Sequence, residues 1–368
     1  MVEPHRDSWL LFAAGAVLGL GSGAGAALRP ASAQTPAPSL ERVIGQHIVA
    51  RVPGTRPSAA VLRRIRAGRL GGVIVFADNA PSARALRTFL RRLDAAARAG
   101  GNPPLLVVVD QEGGSVRRLA GPPTRSAAQL GAGNSPDAAF REGVATARLL
   151  RGVGVRANLA PVLDVPSSSA SFLGERAYSR NRFVVSSIGV AFTRGLRAGG
   201  VAATAKHFPG LGTATRTTDE RPVAVLRSRR ELDRRLLPFR VAVRSGIELV
   251  MVSNASYPAY DRSRAPAVFS RPILQGLLRE QLGFRGLVIS DDLEGGALAS
   301  YTMPATSAVR AGVDLVLFAR SKSGGERAYA ELLAAARNGK LDPAQLERSY
   351  DAIVAFKRRR GLDGNPRR

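Results

Sequence analysis

The sequence predicts an α/β fold, a single-domain (β/α)8 barrel of the TIM type, on three observations. Eight short aliphatic runs recur along the chain, amphipathic helical stretches separate them, and polar or acidic residues stand where the runs end. Alternating strand and helix patterns call for a parallel sheet, and eight repeats of the unit close it into a barrel.

The runs are "HIVAR" (47–51), "GGVIVFA" (71–77), "PLLVVVD" (104–110), "VRANLAPV" (155–162), "VAATAKH" (201–207), "ELVMVSN" (248–254), "GLVISDD" (286–292) and "VDLVLFA" (313–319). Most positions are β-branched or aliphatic, as strands buried on both faces require. Between them lie "SAAVLRRIRAG", "SARALRTFLRRLDAAARAG" and "SRPILQGLLREQLG", the last running into the glycine stop of "GFRG". These units fill residues 41–362, with no internal repeat and no second domain; a doubly wound open sheet is the competing arrangement.

Ahead of the barrel, residues 1–33 have the form of a secretory signal peptide. Arg6 lies in a charged start, an apolar run covers 9–28, and Ala31-Ser32-Ala33 supplies a small-x-small cleavage site. An uncleaved anchor is the alternative for this glycine-rich run; after cleavage no stable membrane span is expected. Residues 34–40 read as a Pro-rich linker and 363–368 as a polar tail.

The 54 Lys and Arg outnumber the 28 Asp and Glu, giving a formal charge of +26. The arginines are scattered at helical spacing ("RRLDAAARAG", "RSRRELDRRL", "FKRRRG"), without a nucleic-acid motif and with few aromatic residues for stacking. No specific nucleic-acid partner is expected, and a negatively charged cell envelope suits the field better. The absence of cysteine excludes disulfides and thiolate chemistry, and three histidines leave little for a histidine metal site.

In a barrel of this type catalytic groups sit at the C-terminal ends of the strands. There the chain carries Asp78 and Asn79, Asp110-Gln111-Glu112, Asp164, Lys206-His207, Asn254 and Asp291-Asp292. Without a cysteine or a G-x-S-x-G elbow, acyl transfer has little support. Carboxylates mixed with a few cations suit glycoside hydrolysis, in which one carboxylate attacks or supports the anomeric carbon and an acid protonates the leaving oxygen. A divalent metal on Asp110, Asp164 and Asp291 is the competing chemistry, which Lys206 beside the site disfavours. No metal and no cofactor are expected.

The segments "GGVIVFADN", "VVVDQEGGSVRRL", "LAPVLDV", "GERAYS", "KHFPGLG", "GLVISDDLEGGAL" and "AGVDLVLFA" follow in this order within a similarity that covers residues 43–358. On them the chain resembles glycoside hydrolase family 3, in its single-domain β-N-acetylhexosaminidase branch. The resemblance implies that Asp291 is the nucleophile of a retaining mechanism, although "SDDL" would also suit a helix start, a role open to Asp292. It further implies that Asp110, Arg176, Lys206 and His207 bind sugar hydroxyls. Asn254 lies where relatives often carry histidine and is a candidate pocket residue. A salt bridge to Glu175 is the structural alternative for Arg176. Glu112 and its following glycines look like turn architecture, with Arg117 or Arg118 reaching back to the site, and Asp164 looks structural.

The chain departs from that pattern in "KHFPGLGTATRTTDERP". The branch carries a second histidine after "KHFPG" and then an Asp-Ser-His element whose histidine is the acid/base. Here Leu211 and Thr217-Thr218-Asp219 stand instead. Asp219, or secondarily Glu220, is the candidate acid/base, if burial or a neighbouring charge raises its pKa. The alternatives are a catalytically weakened glycan-binding protein, with Arg216 and Arg221 serving anionic groups, and a β-glucosidase-type hydrolase. An anionic acid/base repels phosphate and so favours water as acceptor. The expected activity is a secreted hydrolase removing β-linked N-acetylglucosamine from a cell-wall glycan such as peptidoglycan.

Overall fold

The structure, a computed structural model, describes residues 38–361. The signal-peptide and polar-tail expectations fall outside the described residues. Within them, all eight aliphatic runs form strands, and the strands close on one another. They are β1 (Ile48–Arg51), β2 (Gly72–Val75), β3 (Leu106–Val109), β6 (Ala157–Asn158), β7 (Ala202–Phe208), β8 (Leu249–Val252), β9 (Leu287–Asp292) and β10 (Leu315–Phe318). Each pairs in parallel with its neighbours and β10 returns to β1, so the ring is closed and the open sheet is excluded.

Alternation along the strands divides the core in two. Val49, Ile74, Leu106, Val108, Leu249, Ile289 and Leu317 belong to a cluster inside the barrel. Their neighbours Ala50, Val73, Val75, Val107, Val250 and Val288 pack in the larger cluster formed with the helices. Both sets are almost fully buried, each large side chain contributing about 1.5–3 kcal/mol. The helices begin where the sequence places hydroxyl caps: Ser58 accepts from Val61 N ahead of Ala59–Arg66, and Ser82 from Ala85 N ahead of Ala83–Ala99. The last helix, Pro343–Arg359, sends Ile353 and Phe356 into the inner cluster, while Lys357 Nζ donates to the Gly71 carbonyl just before β2. That helix stoppers the N-terminal end, and the opposite end remains for chemistry.

Three local features differ from the expectation. A hairpin, β4 (Gln111–Gly113) with β5 (Val116–Arg117), follows β3; strands this short carry no legible period. The stretch "SRPILQGLLREQLG" winds as a π-type helix over Pro272–Gln281. "SDDL" opens no α-helix: β9 runs to Asp292 and a turn leads into a single 3₁₀ turn at Gly296–Leu298.

Candidate active site

The strand ends enclose a cavity of about 550 Å³. At its floor lies a charge network built from three segments. Lys206, near the end of β7 and 2% exposed, places Nζ 2.7 Å from Asp110 Oδ1 and 2.6 Å from Glu112 Oε1. Arg176, from the loop after β6, grips Glu112 with two parallel bonds of 2.8 Å, Nε to Oε2 and Nη2 to Oε1. Burial alone would push Glu112 up, but Lys206 and Arg176 outweigh it and hold the carboxyl at about 2. Burial likewise works against the charges of Lys206 and Arg176, and the facing carboxylates hold both above their ordinary values.

Glu112 is therefore more than a turn residue. The hairpin aims it: Asn158 Oδ1 accepts from Gln111 N, and the Gln111 amide donates to the Leu119 and Pro122 carbonyls. Gly113 turns at φ 107, where a Cβ would come within 2.2 Å of the Arg125 carbonyl oxygen. The partner of Arg176 is Glu112, not Glu175, which instead accepts from Ser115 N at 2.8 Å. The outer residues of the hairpin diverge. Arg117 donates to the Gly121 carbonyl, while Arg118 lines the cavity with its guanidinium 5.3 Å from the Phe76 ring centre.

His207 lines the cavity and sets Nδ1 2.7 Å from Asp164 Oδ2. Asp164 is wholly buried and its Oδ1 also accepts from Leu211 N at 2.6 Å. It thus fixes the histidine ring and the start of the loop that follows. With Lys206 on Asp110 and His207 on Asp164, the carboxylates of the metal alternative are held by cations and N–H donors. Among the described residues no group of three or more His, Cys, Asp or Glu comes together to hold a metal ion.

Asp291 stands apart from this network. Its Oδ1 accepts from Asp292 N at 2.8 Å, and among the described residues no cation pairs with it. Burial raises its pKa; His207 opposes the rise and the charge of Asp219 adds to it. Asp292 has the structural role, since Oδ1 accepts from Glu294 N and Ala319 N, and Oδ2 from Arg320 Nε at 3.2 Å. Burial, with the charges of Asp291 and Glu294, lifts Asp292 to about 6.

Asp219 reaches the same cavity from the loop after β7. Its Oδ2 accepts from the Thr217 hydroxyl at 3.1 Å, and its carboxylate is 61% exposed. The loop is docked on the turn after β9: Gly296 N donates to the Asp219 carbonyl at 2.9 Å and Ala297 N to the Thr218 carbonyl at 3.0 Å. A Cβ on Gly296 would lie 2.1 Å from the Glu220 carbonyl oxygen, so the close approach demands glycine. Arg320, after β10, adds Nη2 to the Asp219 carbonyl at 2.8 Å. Glu220, Arg216 and Arg221 are exposed and lie outside the cavity lining. Asn254 is also outside it: buried behind the site, its amide donates to the Asp292 carbonyl at 2.9 Å. Asp78 and Asn79 clip the loop after β1, through Gly54 N, Val52 O and Gly54 O.

The structure brings Asp110, Arg176, Lys206, His207, Asp219 and Asp291 to one cavity and leaves Asn254 behind it. Sequence reasoning missed the roles of Glu112 and Arg320. A glutamate two residues after a strand-end aspartate was a signal for the first; for the second, a lone arginine one residue past a strand run carried none.

Comparison with known proteins agrees with this architecture. The profile of the glycosyl hydrolase family 3 N-terminal domain matches residues 39–355. A protein of Arthroderma benhamiae described as an uncharacterized secreted glycosyl hydrolase is 35% identical over 328 residues, covering 86% of this chain and 92% of that protein. A β-hexosaminidase of Nitrosomonas eutropha is 36% identical over 261 residues, 67% of this chain and 73% of that one. The family 3 β-N-acetylglucosaminidase of a Paenibacillus species superposes with a TM-score of 0.86 at 32% identity over 90% of this chain, which spans 64% of that longer protein. With the barrel and its carboxylate-lined mouth, these matches make the chain a member of glycosyl hydrolase family 3, a glycoside hydrolase of the β-N-acetylhexosaminidase type.

Proposed function

We propose that the protein is a secreted retaining hydrolase that removes β-linked N-acetylglucosamine, with Asp291 as nucleophile and Asp219 as acid/base. The observation that carries this is the contrast between carboxylates on one cavity: Asp110 and Glu112 are neutralised by Lys206 and Arg176, whereas Asp291 makes no ion pair among the described residues. A carboxylate that must attack an anomeric carbon needs an unengaged oxygen, and desolvation keeps its lone pairs reactive.

In this mechanism Asp110, Lys206, Arg176 and His207 hold the sugar hydroxyls by charge-assisted hydrogen bonds. Asp291 attacks the anomeric carbon as Asp219 gives its proton to the leaving oxygen, and a glycosyl-enzyme forms. Asp219 then takes a proton from water, whose oxygen displaces Asp291 and restores the β-configuration. The loop of Asp219, latched to Gly296, Ala297 and Arg320, supports this pairing, as does the influence of its charge on Asp291. The mechanism uses no cofactor and no metal.

Export is part of the proposal. The charged start, apolar 9–28 and Ala31-Ser32-Ala33 support cleavage after Ala33 and delivery of a barrel domain, 41–362, to the envelope. No helix among the described residues is long and apolar enough to cross a membrane. The Arthroderma relative, named as a secreted hydrolase, agrees, and the β-hexosaminidases support the sugar. A peptidoglycan-type glycan is then the accessible substrate.

Hydrolysis of aryl β-N-acetylglucosaminide and aryl β-glucoside by the purified protein tests the activity. Release from the first, lost in Asp291→Ala, is the expected result. Activity on glucoside alone would make it a β-glucosidase. Activity on neither, with Asp291→Ala binding glycan as well as the wild type, would leave a binding protein, a role that the exposure of Asp219 favours.

A further inference from the structure

On the helical wall of the barrel a second hollow, of about 690 Å³, opens between three helices. They are Leu40–Gln46, Ala59–Arg66 and Gly324–Arg337, the last packed on β1 and on the first of the three. No residue lining this hollow also lines the catalytic cavity. Glu326, Tyr329, Leu333 and Arg337 recur at helical spacing and give it one wall.

Its acids are already engaged and its cations are not all used. Glu326 accepts from Arg64 Nη1 at 3.0 Å, and Glu41 from Arg337 Nη2 at 2.7 Å. Arg69 is left over. Among the described residues it makes no ion pair, and its guanidinium carbon stands 5.5 Å from the centre of the Tyr329 ring. Arg69 N donates to the Arg64 carbonyl at 3.0 Å, which ties the two arginines together at the end of their helix.

Two donors in the hollow lack an acceptor. Arg64 Nη2 and the Tyr329 hydroxyl are buried with nothing to accept their protons among the described residues, and Tyr329 is only 8% exposed. The charged groups around that hydroxyl are Arg69, Arg337 and the already bonded Glu41. A buried donor without an acceptor is a cost that a ligand oxygen would remove. These donors come from a helix, the turn after it and a second helix. A carboxylate offers two coplanar oxygens, whereas a phosphate oxyanion accepts from several directions and suits guanidinium forks set at angles.

We propose that Arg64, Arg69 and Tyr329 form a second binding site, separate from the catalytic cavity, for the phosphate oxyanion of a polyol-phosphate polymer. Leu333, with Ala330 and Ala334, faces the polyol carbons. The net charge of +26 draws any polyanion to the surface, and this hollow gives one class of them a fitted position. The catalytic cavity stays open while the polymer is held. The place of such a polymer in an envelope follows from the proposed export, but the binding stands without it.

Calorimetry on the full-length protein, at physiological ionic strength, compares a glycerol-phosphate tetramer with a tetragalacturonate of the same nominal charge. The phosphate tetramer should bind at least about tenfold more tightly. Arg69→Gln should weaken it about tenfold or more, and Tyr329→Phe about three- to tenfold. Arg230→Gln removes an exposed arginine of the helix Arg229–Arg235 that makes no ion pair among the described residues, and it should weaken binding by less than about twofold. Inorganic phosphate should compete with the tetramer on the wild type and lose that effect in Arg69→Gln. Without ligand, Tyr329→Phe should unfold in urea at the wild-type midpoint or above it; a lowered midpoint would mean that the hydroxyl has an acceptor within the protein, against the proposal. Equal weakening by Arg69→Gln and Arg230→Gln, or equal affinity for the two tetramers, would reduce the attraction to the general field and overturn the site. Competitive inhibition of aryl N-acetylglucosaminide hydrolysis by the phosphate tetramer would place it in the catalytic cavity and overturn the site as well.

Discussion

Arg320 Nη2 donates to the Asp219 carbonyl oxygen at 2.8 Å and lies 3.4 Å from its Oδ1, while Nε of the same guanidinium holds Asp292 Oδ2 at 3.2 Å. One side chain thereby ties the loop carrying the candidate acid to the strand carrying the candidate nucleophile. Arg320→Met should loosen that tie and misplace Asp219. A misplacement of about 1 Å can cost on the order of a hundredfold in rate, so a ten- to hundredfold loss is expected on substrates that need protonation. Kinetics on phenyl and dinitrophenyl N-acetylglucosaminides check it: the loss should be small on the second, whose leaving group needs no acid.

Glu112 is the keystone of the cavity floor, and Glu112→Gln leaves the half-buried Arg176 without its carboxylate and the buried Lys206 with Asp110 alone. Removing one partner of a buried pair costs about 3–5 kcal/mol, which urea unfolding would read as a lowered midpoint at unchanged slope. The pH dependence has a defined sign. The folded-state pKa is about 2, depressed from 4.5, so its contribution is fully present above 4.5 and is lost as pH falls from there through about 2. The variant should lose less stability than the wild type over that interval.

Asp291 must be ionised to attack, and burial holds its pKa above the ordinary aspartate value. The acid limb of kcat/KM should therefore lie above pH 3.8. Because the charge of Asp219 contributes to the rise, Asp219→Asn should move that limb to lower pH on a dinitrophenyl substrate. A limb that stays in place, or moves upward, would separate the two carboxylates.

The barrel was legible because eight runs such as "GGVIVFA" and "VDLVLFA" carry their burial in composition alone. Asp291 and Lys206-His207 were legible as polar residues at strand ends, with roles implied by family resemblance. Asp164, read as structural, does fix the His207 ring. What could not be read was pairing between distant segments. Arg176 sits beside Glu175 in sequence yet grips Glu112, 64 residues away, because the loop after β6 folds over the hairpin after β3. Asn254 illustrates the converse: its position at the end of β8 is right for a rim residue, but its amide is taken by the Asp292 carbonyl. The docking of the Asp219 loop depends on Gly296, whose bare Cα is invisible in a sequence already rich in glycine.

The proposed mechanism turns on Asp219 as acid/base, and the leaving-group dependence of Asp219→Asn tests that role most directly. A loss of about 10²–10⁴-fold in kcat/KM is expected on phenyl N-acetylglucosaminide, with a much smaller loss on the dinitrophenyl glycoside. Added azide should restore turnover of the activated substrate, with β-glycosyl azide as product. Equal losses on both substrates, or wild-type rates on the phenyl glycoside, would contradict the role.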